Sequence, residues 1–325
     1  MKTPRWSIRS KIFALVAVPV AGLLTLWIFA TTLAVGPASS LLKGRVVLND
    51  LANPSKELIS ALQRERQLSV VSLAGGERVE ALAEQRAVTD QALVQFRRGV
   101  DGSGLRDGKG GELDKRLDAF LTTLDNIPAG RSFIDRRQVD RIGAFGFYTG
   151  IISTGFEAFE ATTGSPDEEL TRRAMAITTL AMGRESLHQI DTLLAGAFTG
   201  GKLGDDEPAR IAQIIGVRRY VYTSATADLT DADRTAFQQL TESPDFVRLR
   251  DLEETLLTRA RPGAAPPVDA QQWWATYDTV QRRLDDFEVA ATASLSDDAV
   301  PITIDILVQL TLAGLFGLVA VTGSL

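Results

Sequence analysis

One arginine falls on the apolar stripe of a predicted helix, where a charged side chain needs a partner. Arg66 follows Ile59 by seven residues and Leu62 by four, and it precedes Val70 by four. Positions three, four and seven apart share one face of a helix, so Arg66 is predicted to face the interior. A buried guanidinium without a partner is costly, and something must neutralise it.

A second arginine repeats this pattern further along the chain. Arg184 follows Leu180 by four residues and Ile177 by seven, and it precedes Leu187 by three. The sequence therefore predicts two guanidinium groups on apolar seams, one in each half of the chain.

Two kinds of partner would neutralise these arginines. A neighbouring carboxylate would form an internal salt bridge, and the candidates are Glu65, Glu185 and Asp191. A small planar oxyanion would instead accept two parallel N–H bonds from the guanidinium fork. Helix periodicity alone favours the internal salt bridge, and both alternatives stay open at this point.

Composition excludes several kinds of chemistry. The chain has no cysteine and one histidine, His188, so it lacks material for a cysteine nucleophile, a thiolate metal site or a multi-histidine site. We predict no catalytic residues, no metal and no cofactor in these 325 residues. The formal net charge of −6 argues against nucleic-acid binding.

Two long uncharged runs frame the chain. Residues 12–35 and 306–325 contain 24 and 20 uncharged residues, and helices of that length cross a bilayer core of about 30 Å. Residues 1–11 carry four basic and no acidic side chains, which predicts a cytoplasmic N-terminal tail. Contact with membrane lipid follows from this arrangement.

The intervening residues 36–305 are predicted to be an extracytoplasmic domain at the cell membrane. They contain 31 basic and 41 acidic residues, a formal charge of −10, so an anion there would need local cations. We also expect the chain to be part of a longer protein, because no basic anchor follows the second run.

Helix start and stop signals divide residues 36–305 into a series of helices. The sequence of this region has no sustained strand pattern. Predicted helices cover 54–74, 77–98, about 112–127, about 135–163, 166–199 and 269 to about 295, and others begin near Pro208, Thr230 and Pro244. We therefore predict an all-α fold, an antiparallel helical bundle, with two stacked four-helix bundles as the best arrangement for this length.

The first predicted helix resembles the opening helix of the NIT domain, the nitrate- and nitrite-sensing domain. The resemblance lies in Leu62-Gln63-Arg64-Glu65-Arg66-Gln67-Leu68-Ser69, where members carry L-Q-x-E-R followed by a small or apolar residue and serine. The usual glycine after the arginine is Gln67 here. Residues 184–197 are similar to the second-half helix of the family. The layout of two spans around a helical block is similar to that of actinobacterial-type sensor histidine kinases.

This resemblance implies two helical bundles and a ligand site between helices that uses arginine. Carried over by position, Arg66 is the motif arginine, while Arg184 is our inference for the second half. Nitrate or nitrite would lie in the forks of these arginines. Arg64, Gln63 and Ser69 complete the predicted anion site as neighbouring donors.

The resemblance further implies a sensor that signals through the second span to a cytoplasmic histidine kinase. A response regulator would be reached only through such a kinase, which would lie outside this chain. By analogy with two-span receptors we expect a homodimer. The alternatives are a membrane-anchored helical protein-interaction module and a chemoreceptor-like ectodomain with no nitrate ligand.

Overall fold

Helices make up nearly all of the chain that the structure describes, and no strand occurs in it. The computed structural model describes residues 53–76, 79–102, 111–161 and 167–322, with the side chains of Val79 and of residues 299–322 outside the description. The helices are α1 (Asn53–Leu73), α2 (Val79–Gly102), α3 (Glu112–Asp125), α4 (Ile127–Asp135), α5 (Arg141–Glu160), α6 (Glu168–Gly200), α7 (Glu207–Ala225), α8 (Asp231–Thr241), α9 (Pro244–Arg259) and α10 (Ala270–Thr322). The predicted all-helical fold is confirmed for these residues.

Side-chain caps set several of the helix starts. The carboxylate of Asp167 accepts a hydrogen bond from the Leu170 amide at 2.9 Å and begins α6. The hydroxyl of Thr230 accepts from the Asp233 amide at 3.1 Å and begins α8. Such caps satisfy amides that have no partner inside the helix, which explains why α6 and α8 begin within two residues of their predicted starts.

Residues 127–140 differ from the prediction, which had one helix from about 135 to 163. A separate helix, α4, occupies 127–135, with Pro128 in its first turn. The chain then passes through Arg137, whose φ of 53° breaks the helix. Asp140 caps the next helix by accepting from the Gly143 amide at 2.7 Å, so α5 begins only at Arg141.

Two groups of helices share one continuous apolar core. Helix α1 packs against α2, α5 and α6, and α3 packs against α5. Helix α6 also packs against α7, which in turn contacts α9. Helices α1 and α5 of the first half both pack against α6 of the second half, and α1 and α6 carry Arg66 and Arg184.

The predicted membrane spans lie largely beyond what the structure describes. Residues 12–35 fall outside the described residues, and so do the side chains of 306–325. Among the helices of the described residues, none has both the length and the apolar character needed to cross a membrane. The described residues as far as Leu295 belong to one compact unit, and Ser296–Leu325 are assigned to another.

Gly183 allows α6 and α7 to approach closely, and we expect Gly183→Ala to destabilise the fold. A Cβ at this position would lie 2.1 Å from Cε1 of the buried Tyr222 ring, so the ring must move. Overpacking of this kind typically costs about 1–3 kcal/mol. The free energy of unfolding from urea denaturation measures the effect.

Gly216→Ala is the matched control. Gly216 lies on the exposed side of α7, and a Cβ there meets nothing within 4 Å. Alanine should stabilise the helix by up to about 1 kcal/mol because it is a better helix former than glycine. Equal effects of the two substitutions would contradict the close approach at Gly183.

Candidate functional site

The Arg66 guanidinium is fully buried and forms a two-pronged ion pair with Glu185. Its Nη1 donates to Oε1 of Glu185 at 2.5 Å and its Nη2 donates to Oε2 at 3.1 Å. Nη1 also donates to Oγ1 of Thr149 at 3.1 Å, and the guanidinium carbon lies 5.6 Å from the centre of the Phe145 ring. The pair joins α1 to α6, and Thr149 and Phe145 contribute α5 to the site.

Among the described residues, two N–H groups of Arg66 have no acceptor, the Nε–H and the second N–H of Nη2. The Nε–H is buried. Buried polar groups in proteins nearly always find a partner, so an unused donor of a charged group is a site at which a further acceptor is favoured.

Glu185 is surrounded by donors. Besides Arg66, Nε2 of Gln63 donates to Oε2 at 2.7 Å and Nε2 of Gln189 donates to Oε1 at 2.9 Å. Burial acts to raise the pKa of Glu185, but the attraction and hydrogen bonds of Arg66 outweigh it and hold the pKa below its ordinary value. Glu185 is therefore an ionised internal counter-ion.

Arg184 is paired on a different side of α6. Its Nε donates to both carboxylate oxygens of Glu288, at 2.9 and 3.0 Å, and its Nη1 lies 3.7 Å from Oδ1 of Asp285. Both carboxylates belong to α10, so Arg184 joins α6 to α10. Arg66 and Arg184 have no contact partner in common among the described residues, and the structure does not bring them together as two forks around one ligand.

A groove of about 1480 Å³ runs beside the Arg66 pair. Its wall is formed by side chains of α1, α2, α6 and α10, including Gln63, Arg64, Gln67, His188, Asp191 and Tyr277. Arg66 and Glu185 do not line the groove themselves. Gln63 lines the groove and also contacts Glu185, so this side chain stands between the groove and the ion pair.

Asp191 links three helices at the floor of this groove. It accepts a 2.9 Å hydrogen bond from Nε1 of Trp273 in α10 and another from the side-chain amide of Gln67 in α1. Burial raises the pKa of Asp191 to about 7, although the bond from Trp273 opposes the shift. The Asp191 side chain is therefore a joint between α1, α6 and α10 whose charge depends on pH near neutrality.

His188 lines the groove without adding positive charge to it. Its Nδ1 lies 2.6 Å from the Tyr277 hydroxyl, and the two rings meet edge to face. Burial lowers the pKa of His188 to about 3, so the ring is neutral under ordinary conditions. The histidine packs against Tyr277 at the groove wall.

Ser69 lies on the side of α1 that faces a second buried cluster. Glu65 accepts from Nε and Nη2 of Arg131, at 2.7 and 2.9 Å, and from the Tyr148 hydroxyl at 2.7 Å. Ser69 is fully buried beside Tyr148. Of the five predicted anion-site residues, Gln63 and Arg64 reach the groove, Arg66 lies just behind it, and Ser69 and Arg184 contact other groups.

Two further arginines are buried, Arg173 and Arg218, and neither was singled out from the sequence. Arg218 in α7 is 1% exposed, pairs with Glu253 of α9, and lies 5.3 Å from the centre of the Tyr222 ring. The spacing that singled out Arg66 also applies here, because Arg218 follows Ile211 by seven residues and Ile215 by three. A search for every arginine on an apolar stripe would have found it.

The comparisons with known proteins agree with this architecture. Residues 57–296 match the protein family described as "Nitrate and nitrite sensing". The solved structure of the NasR transcription antiterminator matches with a TM-score of 0.67 and 18% sequence identity, covering 94% of this chain and 83% of that chain. The curated proteins contain no match.

The described chain is thus an all-helical domain in which α1 and α6 hold a buried arginine–carboxylate pair beside an open groove. It belongs to the nitrate and nitrite sensing family, the NIT family, whose match covers most of its length. Because its sequence identity is low, the match to the NasR antiterminator shows only that this chain and NasR share a fold.

Asp191→Asn should change how stability depends on pH. The pKa of Asp191 is about 7 in the folded protein against 3.8 ordinarily, so the folded state holds this proton more tightly than the unfolded state. The contribution of Asp191 to the free energy of unfolding therefore falls as pH rises from about 4 to about 7. Above that range the contribution is lost completely. The variant lacks this titration, so its stability relative to wild type should rise by about 2–4 kcal/mol between pH 4 and pH 8.

Urea denaturation at a series of pH values measures this difference. Asp251→Asn, which alters an exposed aspartate of α9, is the control and should show no such rise. If the pH profiles of Asp191→Asn and wild type run parallel, Asp191 is not the titrating joint described above.

Proposed function

We propose that this chain binds nitrate or nitrite at Arg66 and is the sensor region of a signalling protein. The observation that carries the proposal is the buried Arg66 guanidinium, fixed by α1, α5 and α6, with an unused Nε–H and a groove beside it. Membership of the nitrate and nitrite sensing family supports the choice of anion.

The chemistry of the site fits a small planar oxyanion. Nitrate offers three acceptor oxygens in a plane, and a guanidinium fork presents parallel donors in the same plane. A buried guanidinium is also more effective than an exposed one, because water does not screen it. Arg66 is thus the residue proposed to hold the anion.

The other predicted residues take supporting roles in this proposal. Arg64 is exposed on the groove wall, where its charge attracts an anion into a domain of negative formal charge. Gln63 stands at the boundary between the groove and Arg66 and supplies a neutral donor. Arg184 acts by tying α6 to α10, and Ser69 acts by packing beside Tyr148.

Signalling is proposed to follow from a shift between two packings of α1, α6 and α10. An anion that binds one packing better than the other moves the population toward it. We further propose that the chain is a homodimer at the cell membrane, with residues 36–305 outside and the signal passing through 306–325 to a cytoplasmic histidine kinase. The uncharged runs at 12–35 and 306–325 support this part of the proposal.

Nitrate should stabilise the protein against heat. At 100 times the dissociation constant a ligand adds about 2.7 kcal/mol, which corresponds to a rise in Tm of roughly 5–10 °C for a domain of this size. Thermal melts of the full chain with sodium nitrate, nitrite and chloride up to tens of millimolar measure the effect. An equal response to all three salts, or none to any, would contradict the proposal and favour a protein-interaction module.

The double variant Arg66→Gln/Glu185→Gln should abolish the nitrate response while keeping the fold. Removing both members of the pair avoids leaving one buried charge unpaired, which is the main cause of instability when such pairs are broken. Circular dichroism checks the helical content, and the melts described above test binding.

Arg131→Gln/Glu65→Gln is the matched control. It removes the same number of charges from another two-pronged pair, formed through Nε and Nη2 of Arg131, in which the carboxylate lies on α1 next to Arg66 in the sequence. This variant should keep the nitrate response. Loss of the response in both double variants, or in neither, would remove Arg66 from the proposed site.

A further inference from the structure

Glu185 occupies the donors of Arg66 that an oxyanion needs. Its two carboxylate oxygens accept from Nη1 and Nη2 of Arg66 at 2.5 and 3.1 Å. Gln63 and Gln189 donate to the same two oxygens, at 2.7 and 2.9 Å. A carboxylate and a nitrate ion are both planar groups with equivalent acceptor oxygens, so this set of donors is shaped for either of them.

The Glu185 carboxylate and a nitrate ion cannot both occupy the Nη1–Nη2 end of Arg66. Two like charges within about 4 Å of one another repel strongly where water is excluded, and Glu185 is buried in the core of the helices. Glu185 and Thr149 use both N–H groups of Nη1, and Glu185 uses one of Nη2, so the Nη1–Nη2 end of the fork is filled. In the described chain the Nε–H and the second N–H of Nη2 have no acceptor. An anion that takes the Nη1–Nη2 end of the fork must therefore displace Glu185, and one that takes the Nε side meets the repulsion of the Glu185 charge.

We infer that Glu185 is a built-in competitor for the anion site and that its carboxylate sets the affinity and threshold of the sensor. The inference rests on the proposed function at Arg66. It assigns to Glu185 a role beyond that of a structural counter-ion: the tethered carboxylate keeps the fork filled until an external oxyanion replaces it.

The Glu185 side chain also connects anion binding to the packing of the helices. Glu185 belongs to α6 and Arg66 to α1, so exchanging the carboxylate for a free anion removes a direct link between these helices. On the same helix, Asp191 and Arg184 contact α10 through Trp273 and Glu288. The competitor is therefore placed where its displacement changes the packing of the central helix against both neighbours.

Substitution of Glu185 alone separates this role from a purely structural one. Glu185→Gln fills nearly the same volume without the charge, so it should lower the dissociation constant for nitrate at least tenfold. Glu185→Asp keeps the charge but withdraws it from the fork, and its affinity should lie between wild type and Glu185→Gln. A merely structural role predicts the opposite direction, since damage to the site weakens binding.

Isothermal titration of sodium nitrate into the full chain measures these constants. Glu65→Gln is the matched control, because it neutralises another buried carboxylate that accepts a two-pronged bond from arginine, and it should leave the affinity within about threefold of wild type. If Glu185→Gln does not fold, as judged by circular dichroism, Glu185→Asp decides: tighter binding than wild type supports the inference, and equal or weaker binding overturns it.

The outcomes distinguish the inference from the proposed function. If wild type binds nitrate and Glu185→Gln binds it equally or more weakly, the inference is overturned while the proposed function stands. If only Glu185→Gln binds nitrate, the competitor is supported and nitrate sensing by the wild-type protein is contradicted. If neither binds, both fail.

Discussion

The structure depends on a positive charge held in the apolar interior of a helical domain. Arg66 contacts α5 through Thr149 and α6 through Glu185, so one side chain of α1 ties three helices together. Burying this charge is favourable only when an anion accompanies it, because an unpaired guanidinium away from water is costly. The protein supplies one anion itself, Glu185, and we infer that nitrate or nitrite takes its place.

Helix α6 is the element through which we propose that this local exchange moves other helices. One face of it holds Glu185 against α1, and another face holds Arg184 against Glu288 of α10. Asp191 lies between these contacts and touches both α1 and α10 through Gln67 and Trp273. A packed core switches between discrete arrangements rather than deforming continuously. A change at one of these polar contacts therefore favours a discrete repacking.

The sequence predicts the helices well and the pairing of the charges only in part. Asp167 and Thr230 cap helices near their predicted starts because a side-chain cap is a local property of the chain. The short α4 was missed because a break at Arg137, in a left-handed conformation, separates it from α5. The sequence does not signal that break. Periodicity predicts that Arg66 is buried, and Glu185 was among its three possible carboxylate partners. The partner of Arg184, Glu288, is 104 residues away in the chain and follows only from how α6 and α10 pack.

A crystal structure of the protein with nitrate at saturating concentration tests the central claim most directly. We expect a planar anion within hydrogen-bond distance of the Arg66 guanidinium, with the Glu185 carboxylate turned away from the fork. An anion bound elsewhere in the groove, with the Arg66–Glu185 pair still intact, would contradict it.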